Sequence, residues 1–134
     1  MDSLTDGVYL GFLDSETNID EVVFDLAVWF SGPDANRAAI ADGETQIPVP
    51  NDFYIRNRSK RTFVFEVASG IQATSVWYDY DTDPDLENDP VSWPDLVAAF
   101  KSAEGGVWSN LVADPWWITI EGGQVVRMDE QYLP

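Results

Sequence analysis

The sequence has no cysteine and no histidine, and only two of its 134 residues are lysine, Lys60 and Lys101. Without Cys there is no disulfide framework, no thiolate nucleophile and no thiolate metal site. Without His the commonest general base near neutral pH is gone, and with it every Ser-His-acid arrangement and imidazole-ligated zinc. No apolar run approaches the ~18 residues expected of a membrane-spanning helix, and the residues after Met1 lack a signal-like pattern. Any export address is therefore expected upstream of Met1.

Positive charge is scarce as well. Seven bases face 24 acids, sixteen Asp and eight Glu, for a net charge of -17. That balance repels duplex nucleic acid and anionic lipid, so neither is expected as a partner. Self-repulsion on this scale weakens the fold at low ionic strength, and molar salt, with a Debye length of about 3 Å, removes most of it. The surface suits saline surroundings, or solubility alone. What the chain has in plenty is apolar: 45% hydrophobic residues, with six Trp, seven Phe and five Tyr, enough for a core despite the charge. The length implies one domain over residues 1–134, expected to be monomeric.

Residues 8–13 read as a strand, followed by an Asp14 to Asp20 turn rich in Asp, Ser, Asn and Thr. In 22–30, Val22, Phe24, Leu26, Val28 and Phe30 alternate with Val23, Asp25, Ala27 and Trp29, a strand pattern with Asp25 as its single charge. Ser31-Gly32-Pro33-Asp34 opens a short helix whose Ala35, Ala38 and Ala39 share a face, and Gly43 stops it. Pro48 and Pro50 mark an extended connector. Strands are predicted at 53–57 and 62–67, a turn at Ala68-Ser69-Gly70, a further strand at 71–78, and an irregular loop from Asp79 to Pro90. Ser92, Pro94 and Asp95 open a second helix through Phe100, with Leu96, Ala99 and Phe100 inward and Gly105-Gly106 as its stop. Trp116 to Ile120, Gly122-Gly123 and Val125 to Tyr132 form a hairpin. This order implies an α+β fold: a small, twisted, partly closed antiparallel sheet or barrel, OB-like, with two short helices.

Asp79, Asp81, Asp83 and Asp85 alternate in the acidic loop, so calcium is the one cofactor the sequence suggests. An EF-hand counted from Asp79 wants Gly sixth and Glu twelfth, and both positions are proline, Pro84 and Pro90; a solvated loop is the simpler expectation. Four of the seven bases are Arg56, Arg58, Lys60 and Arg61. On a continuous strand Arg56, Arg58 and Lys60 share a face, a seat for a small anionic ligand or an acidic protein surface. The competing expectation is a hairpin tip whose bases pair with neighbouring acids. Asn51, Asp52 and Tyr54 join the binding candidates, since hydrogen-bonding side chains beside aromatics suit a ligand rim or a structural turn. Asp25 is expected to accept a hydrogen bond from a turn, an Asn or a Tyr. Trp116 and Trp117, adjacent in a strand, must face opposite sides, which leaves one of them outside the core.

The segments VFDLA (23–27), ANRAA (35–39), PNDFYIRN (50–57) and WITI (117–120), the last running on to DEQYLP (129–134), together resemble a family of uncharacterised bacterial domains. That family is mostly actinobacterial and often occurs in exported proteins or lipoproteins. The resemblance spans nearly the whole chain and implies a fold unit and an extracytoplasmic or cell-surface setting, without an activity. The acidic stretch between Trp77 and Trp93 departs from the family pattern. The expected function is a non-catalytic binding or accessory domain whose partner is a protein or a small anionic ligand. Two rivals are an acidic inhibitor that mimics nucleic acid and a small carboxylate-dependent hydrolase, which needs a cleft holding two acids of separated pKa.

Overall fold

Period-2 alternation produces the strands that build this chain. The structure, a computed structural model, describes residues 4–57, 61–78, 86–102, 111 and 113–134. In chain order its elements are β1 (Gly7–Leu13), β2 (Glu21–Ser31), α1 (Gly32–Ala41), β3 (Phe53–Arg56), β4 (Thr62–Ser75), β5 (Asp89–Val91), α2 (Trp93–Lys101), β6 (Trp116–Glu121) and β7 (Gln124–Glu130). Buried Thr17 pins the first turn, its hydroxyl donating to the Val23 carbonyl and accepting from the Val23 N–H. Gly122 and Gly123 make the β6–β7 turn at φ of 60° and 76°, the backbone a two-residue hairpin requires.

Five strands form a ring of hydrogen-bonded neighbours: β1 joins β2 and β6, β6 joins β7, β7 joins β4, and β4 returns to β2. β3 and β5 are appended to β2 and β4. Around the ring β6, β1, β2 and β4 lie in Greek-key order, the fourth strand beside the first. This is an α+β domain with a partly closed sheet, as the sequence implies.

The structure corrects three details. The sheet is mixed, because β4 and β7 run parallel; the chain between them, through α2 and β6, supplies the crossover such a pair needs. Ala68-Ser69-Gly70 makes no turn. β4 runs through it, and between the pairs Val67 with Val125 and Gln72 with Arg127 five residues of β4 pass while β7 advances two. The small residues thus accommodate a bulge rather than a reversal. Asp89 and Pro90, expected in the irregular loop, belong to β5, an edge strand where the missing proline N–H costs no ladder bond. α2 ends at Lys101, and Gly105-Gly106 lie outside the described residues.

Inside the ring, Phe24 stacks on Phe63 and Phe65 at centroid distances of 5.9 and 6.2 Å. Trp116, Ile118, Ile120, Val125 and Met128 complete the sheet side of the core, and α2 adds Trp93, Leu96, Val97 and Phe100. Each such side chain stabilises the fold by roughly 2–3 kcal/mol. A smaller core joins Ala35 and Ala39 of α1 to Val49, Phe30 and Tyr54, the alanines allowing the helix to approach β2 and β3 closely.

Gly11 sits opposite Leu26 on one side and Trp116 on the other. A Cβ there would lie 2.6 Å from Phe24 Cδ2 and 3.2 Å from Ile118 Cδ1. Gly11→Val is expected to cost about 2–3 kcal/mol, read as a lower urea midpoint at unchanged slope.

Candidate functional site

Among the described residues, polar and aromatic side chains gather in several places, and three of these bear on function. The first takes in the basic cluster. Arg56, at the end of β3, donates from Nε to Asp42 Oδ2 at 2.9 Å and reaches the Ala38 carbonyl at 3.4 Å. Its guanidinium lies 5.0 Å from the Phe30 ring centroid. Tyr54 donates its hydroxyl to the same Asp42 oxygen at 2.9 Å. Asp42 caps the C-terminus of α1, an end with no base of its own in the last turn, so Arg56 supplies the positive charge that the helix dipole favours there. The Tyr54 hydroxyl is held above its ordinary pKa by burial first and by Asp42 second, which keeps it a donor. These groups line an open groove of about 510 Å³ with Ala41, Ile55 and Asn57.

The remaining described candidates lie apart from Arg56 in their contacts. Arg61 lies over the Phe63 ring at 4.3 Å, so Arg56 and Arg61 turn to different neighbours. Arg58 and Lys60 lie outside the described residues, as do Asp79, Asp81, Asp83 and Asp85. Among the described residues no three acidic side chains converge as a metal site would require. Asn51 and Asp52 both take left-handed backbone, at φ of 57° and 61°. Asn and Asp tolerate that conformation best among residues with a side chain, which accounts for their presence in the turn before β3. Asp25 accepts from Asn57 Nδ2 at 2.9 Å, as expected of a charge in an apolar strand.

The second grouping is aromatic and lies on the outer face of the ring. Trp116 points inward and is fully buried, whereas Trp117 points outward and is half-buried. Trp29 lies between Trp117, at 6.3 Å, and Phe53, whose ring is nearly parallel to it at 4.8 Å. The Trp117 indole N–H is fixed by Gln131 Oε1 at 2.8 Å. A largely apolar groove of about 370 Å³ opens beside Trp29 and Trp117. Of the other tryptophans, Trp93 is buried and donates to the Ile19 carbonyl, and Trp108 lies outside the described residues.

The third grouping was not legible as a site in the sequence. Glu130, 3% exposed, ends β7, and its Oε1 accepts from Ser75 Oγ at 2.7 Å and from the N–H groups of Val76 and Trp77 at 2.8 and 3.3 Å. Buried Asp114 accepts from the Trp77 indole at 2.8 Å. The two buried carboxyls influence one another, while Glu130 Oε2 is buried without a hydrogen-bond partner among the described residues. Burial, reinforced by Asp114 and opposed by Ser75 and Val76, pushes Glu130 up to about 7; burial also raises Asp114. Neither acid lines either groove. A signal was present: Glu130 falls two residues after inward-facing Met128, which places its carboxyl on the core side.

No family model, curated protein or solved structure matches the chain.

Two outcomes are expected. Arg56→Ala should destabilise the protein by about 1–2 kcal/mol in chemical denaturation, since it strips Asp42 of a charged donor. The folded chain keeps the Glu130 proton up to about pH 7, whereas an unfolded chain loses it near 4.5. The stabilisation is therefore complete below pH 4.5 and lost as pH rises through 7, by roughly 3 kcal/mol. Relief of surface repulsion has the same sign, so the discriminating measurement is Glu130→Gln, whose stability should vary with pH by that much less.

Proposed function

We propose that this chain is a non-catalytic binding domain of an exported bacterial protein, and that it recognises its partner through the outer face carrying Trp29, Phe53 and Trp117. The observation that carries this is the half-buried Trp29–Trp117 pair beside an apolar groove, on a protein whose core already has ample aromatic packing. Rigid aromatic rings held by neighbours give large contact area at small entropic cost. The Arg56 groove is a weaker candidate, because its positive charge is committed to Asp42 and to the end of α1. Export and bacterial origin are supported by the resemblance of the 23–27, 35–39, 50–57 and 117–134 segments.

A second reading, a carboxylate-dependent hydrolase, draws on the Asp114–Glu130 pair, in which one acid is protonated near neutrality as a general acid would be. The enclosure of both carboxyls and their use of protein donors favour a structural role.

The test is tryptophan fluorescence during titration with panels of peptides and oligosaccharides. At least one class should shift the emission of the wild-type chain, and Trp117→Ala should weaken that response about tenfold or more. A panel without any response, together with turnover of a chromogenic glycoside that Glu130→Gln abolishes, would replace the binding reading with the hydrolase.

A further inference from the structure

The ladder between β1 and β2 stops early. Its last pair is Leu10 with Ala27, although β1 begins at Gly7 and β2 continues to Ser31. Beyond that pair, Gly7 to Tyr9 bond only to β6, and Val28 to Ser31 only to β3, among the described residues. The two strands therefore part company, and the 370 Å³ groove lies in the gap, bounded by Val8 and Tyr9 on one side, Val28 and Trp29 on the other, and Trp117 alongside.

A strand edge without a partner exposes backbone donors and acceptors, and proteins ordinarily guard such edges with lysine, proline or a bulge. Neither Val8-Tyr9-Leu10 nor Val28-Trp29-Phe30 contains a charge or a proline. Val8 and Val28 are 59% and 49% exposed. An unguarded edge flanked by apolar side chains fits strand addition, where main-chain bonds supply affinity and alternate side chains supply selectivity.

We infer that this seam is the docking site for an extended, cationic peptide segment of a partner protein, which adds as a strand along Val28–Ser31; the inference rests on the binding-domain reading and names its partner. The free backbone edge selects a peptide over a sugar, which would use the aromatic rings alone. Charge selects the sign of the occupant. A second copy of this chain would bring another -17 to the contact and is repelled, whereas a lysine-bearing strand is drawn in. The open edge of β2 is four residues long, room for about 13 Å of added strand. On that strand, alternate apolar residues meet Trp29 and Trp117 while the lysines fall on the opposite face, beside exposed Val28.

The experiment titrates the full chain with a peptide of about eight alternating Lys and Val residues, following backbone amide shifts and tryptophan emission. A second titration uses the same peptide with alternate amides N-methylated, which removes donors and preserves charge. Saturable binding is expected, with shifts concentrated in residues 7–10 and 26–31, and N-methylation should weaken it about tenfold or more. Val28→Lys, which guards the edge, should weaken it comparably. Equal affinity for the N-methylated peptide, or shifts spread over the acidic surface, overturns the inference. Oligosaccharide binding at Trp29 and Trp117 without a peptide response also overturns it while leaving the binding-domain reading in place; a chain that binds neither removes both.

Discussion

Strand β4 is bonded along both edges at once: Glu66 lies opposite Glu21 of β2 and opposite Gln124 of β7. The inward-facing phenylalanines of β2 and β4 stack because those strands are adjacent, and β7 closes the ring because β4 offers it a second, parallel edge. Closure removes two sheet edges that would otherwise invite association. It also places two like charges face to face, Glu21 and Glu66, on a chain of net charge -17. The joint that holds the ring together thus carries a cross-strand pair of like charges, which added salt screens.

Outside the ring the chain solves a different problem. β2 is long enough to serve two neighbourhoods, its first half facing the main core and its second half carrying β3 and α1. α1 is short and alanine-rich, so it buries little area, and polar links supply what packing does not. Arg56 and Tyr54 converge on Asp42 from a strand a dozen or more residues away, and Asn36 accepts from the Val49 N–H at 2.9 Å. Arg56, one of the four bases the sequence offers as ligand contacts, is part of the lobe's own fastening.

What could be read from the sequence was whatever depends on neighbours close in the chain. The alternation of Val22 to Phe30, the Ser31 and Ser92 helix starts, the alanine face of α1 and the Gly122-Gly123 turn each follow from local periodicity or backbone freedom. The opposite orientations of Trp116 and Trp117 follow from the same rule. Ala68-Ser69-Gly70 failed because a bulge and a turn call for the same small residues, and only a partner strand, here β7, decides between them. The Asp114–Glu130 contact was hidden because it depends on where β7 ends relative to the residues before β6. The commitment of Arg56 to Asp42 required the packing of α1 on β3, which no spacing in the chain reveals.

The Glu130 cluster ties together two stretches of chain that lie far from it in sequence. Ser75, Val76 and Trp77, just before the acidic segment, donate to the Glu130 carboxyl, and Asn88, just after it, donates to the Glu130 main-chain carbonyl at 2.8 Å. One residue therefore clasps both stems, Trp77 on one side and Asn88 on the other. Loss of the Glu130 carboxylate would thus release the first stem while the main-chain carbonyl still held Asn88, so the two stems are fastened by separable parts of a single residue.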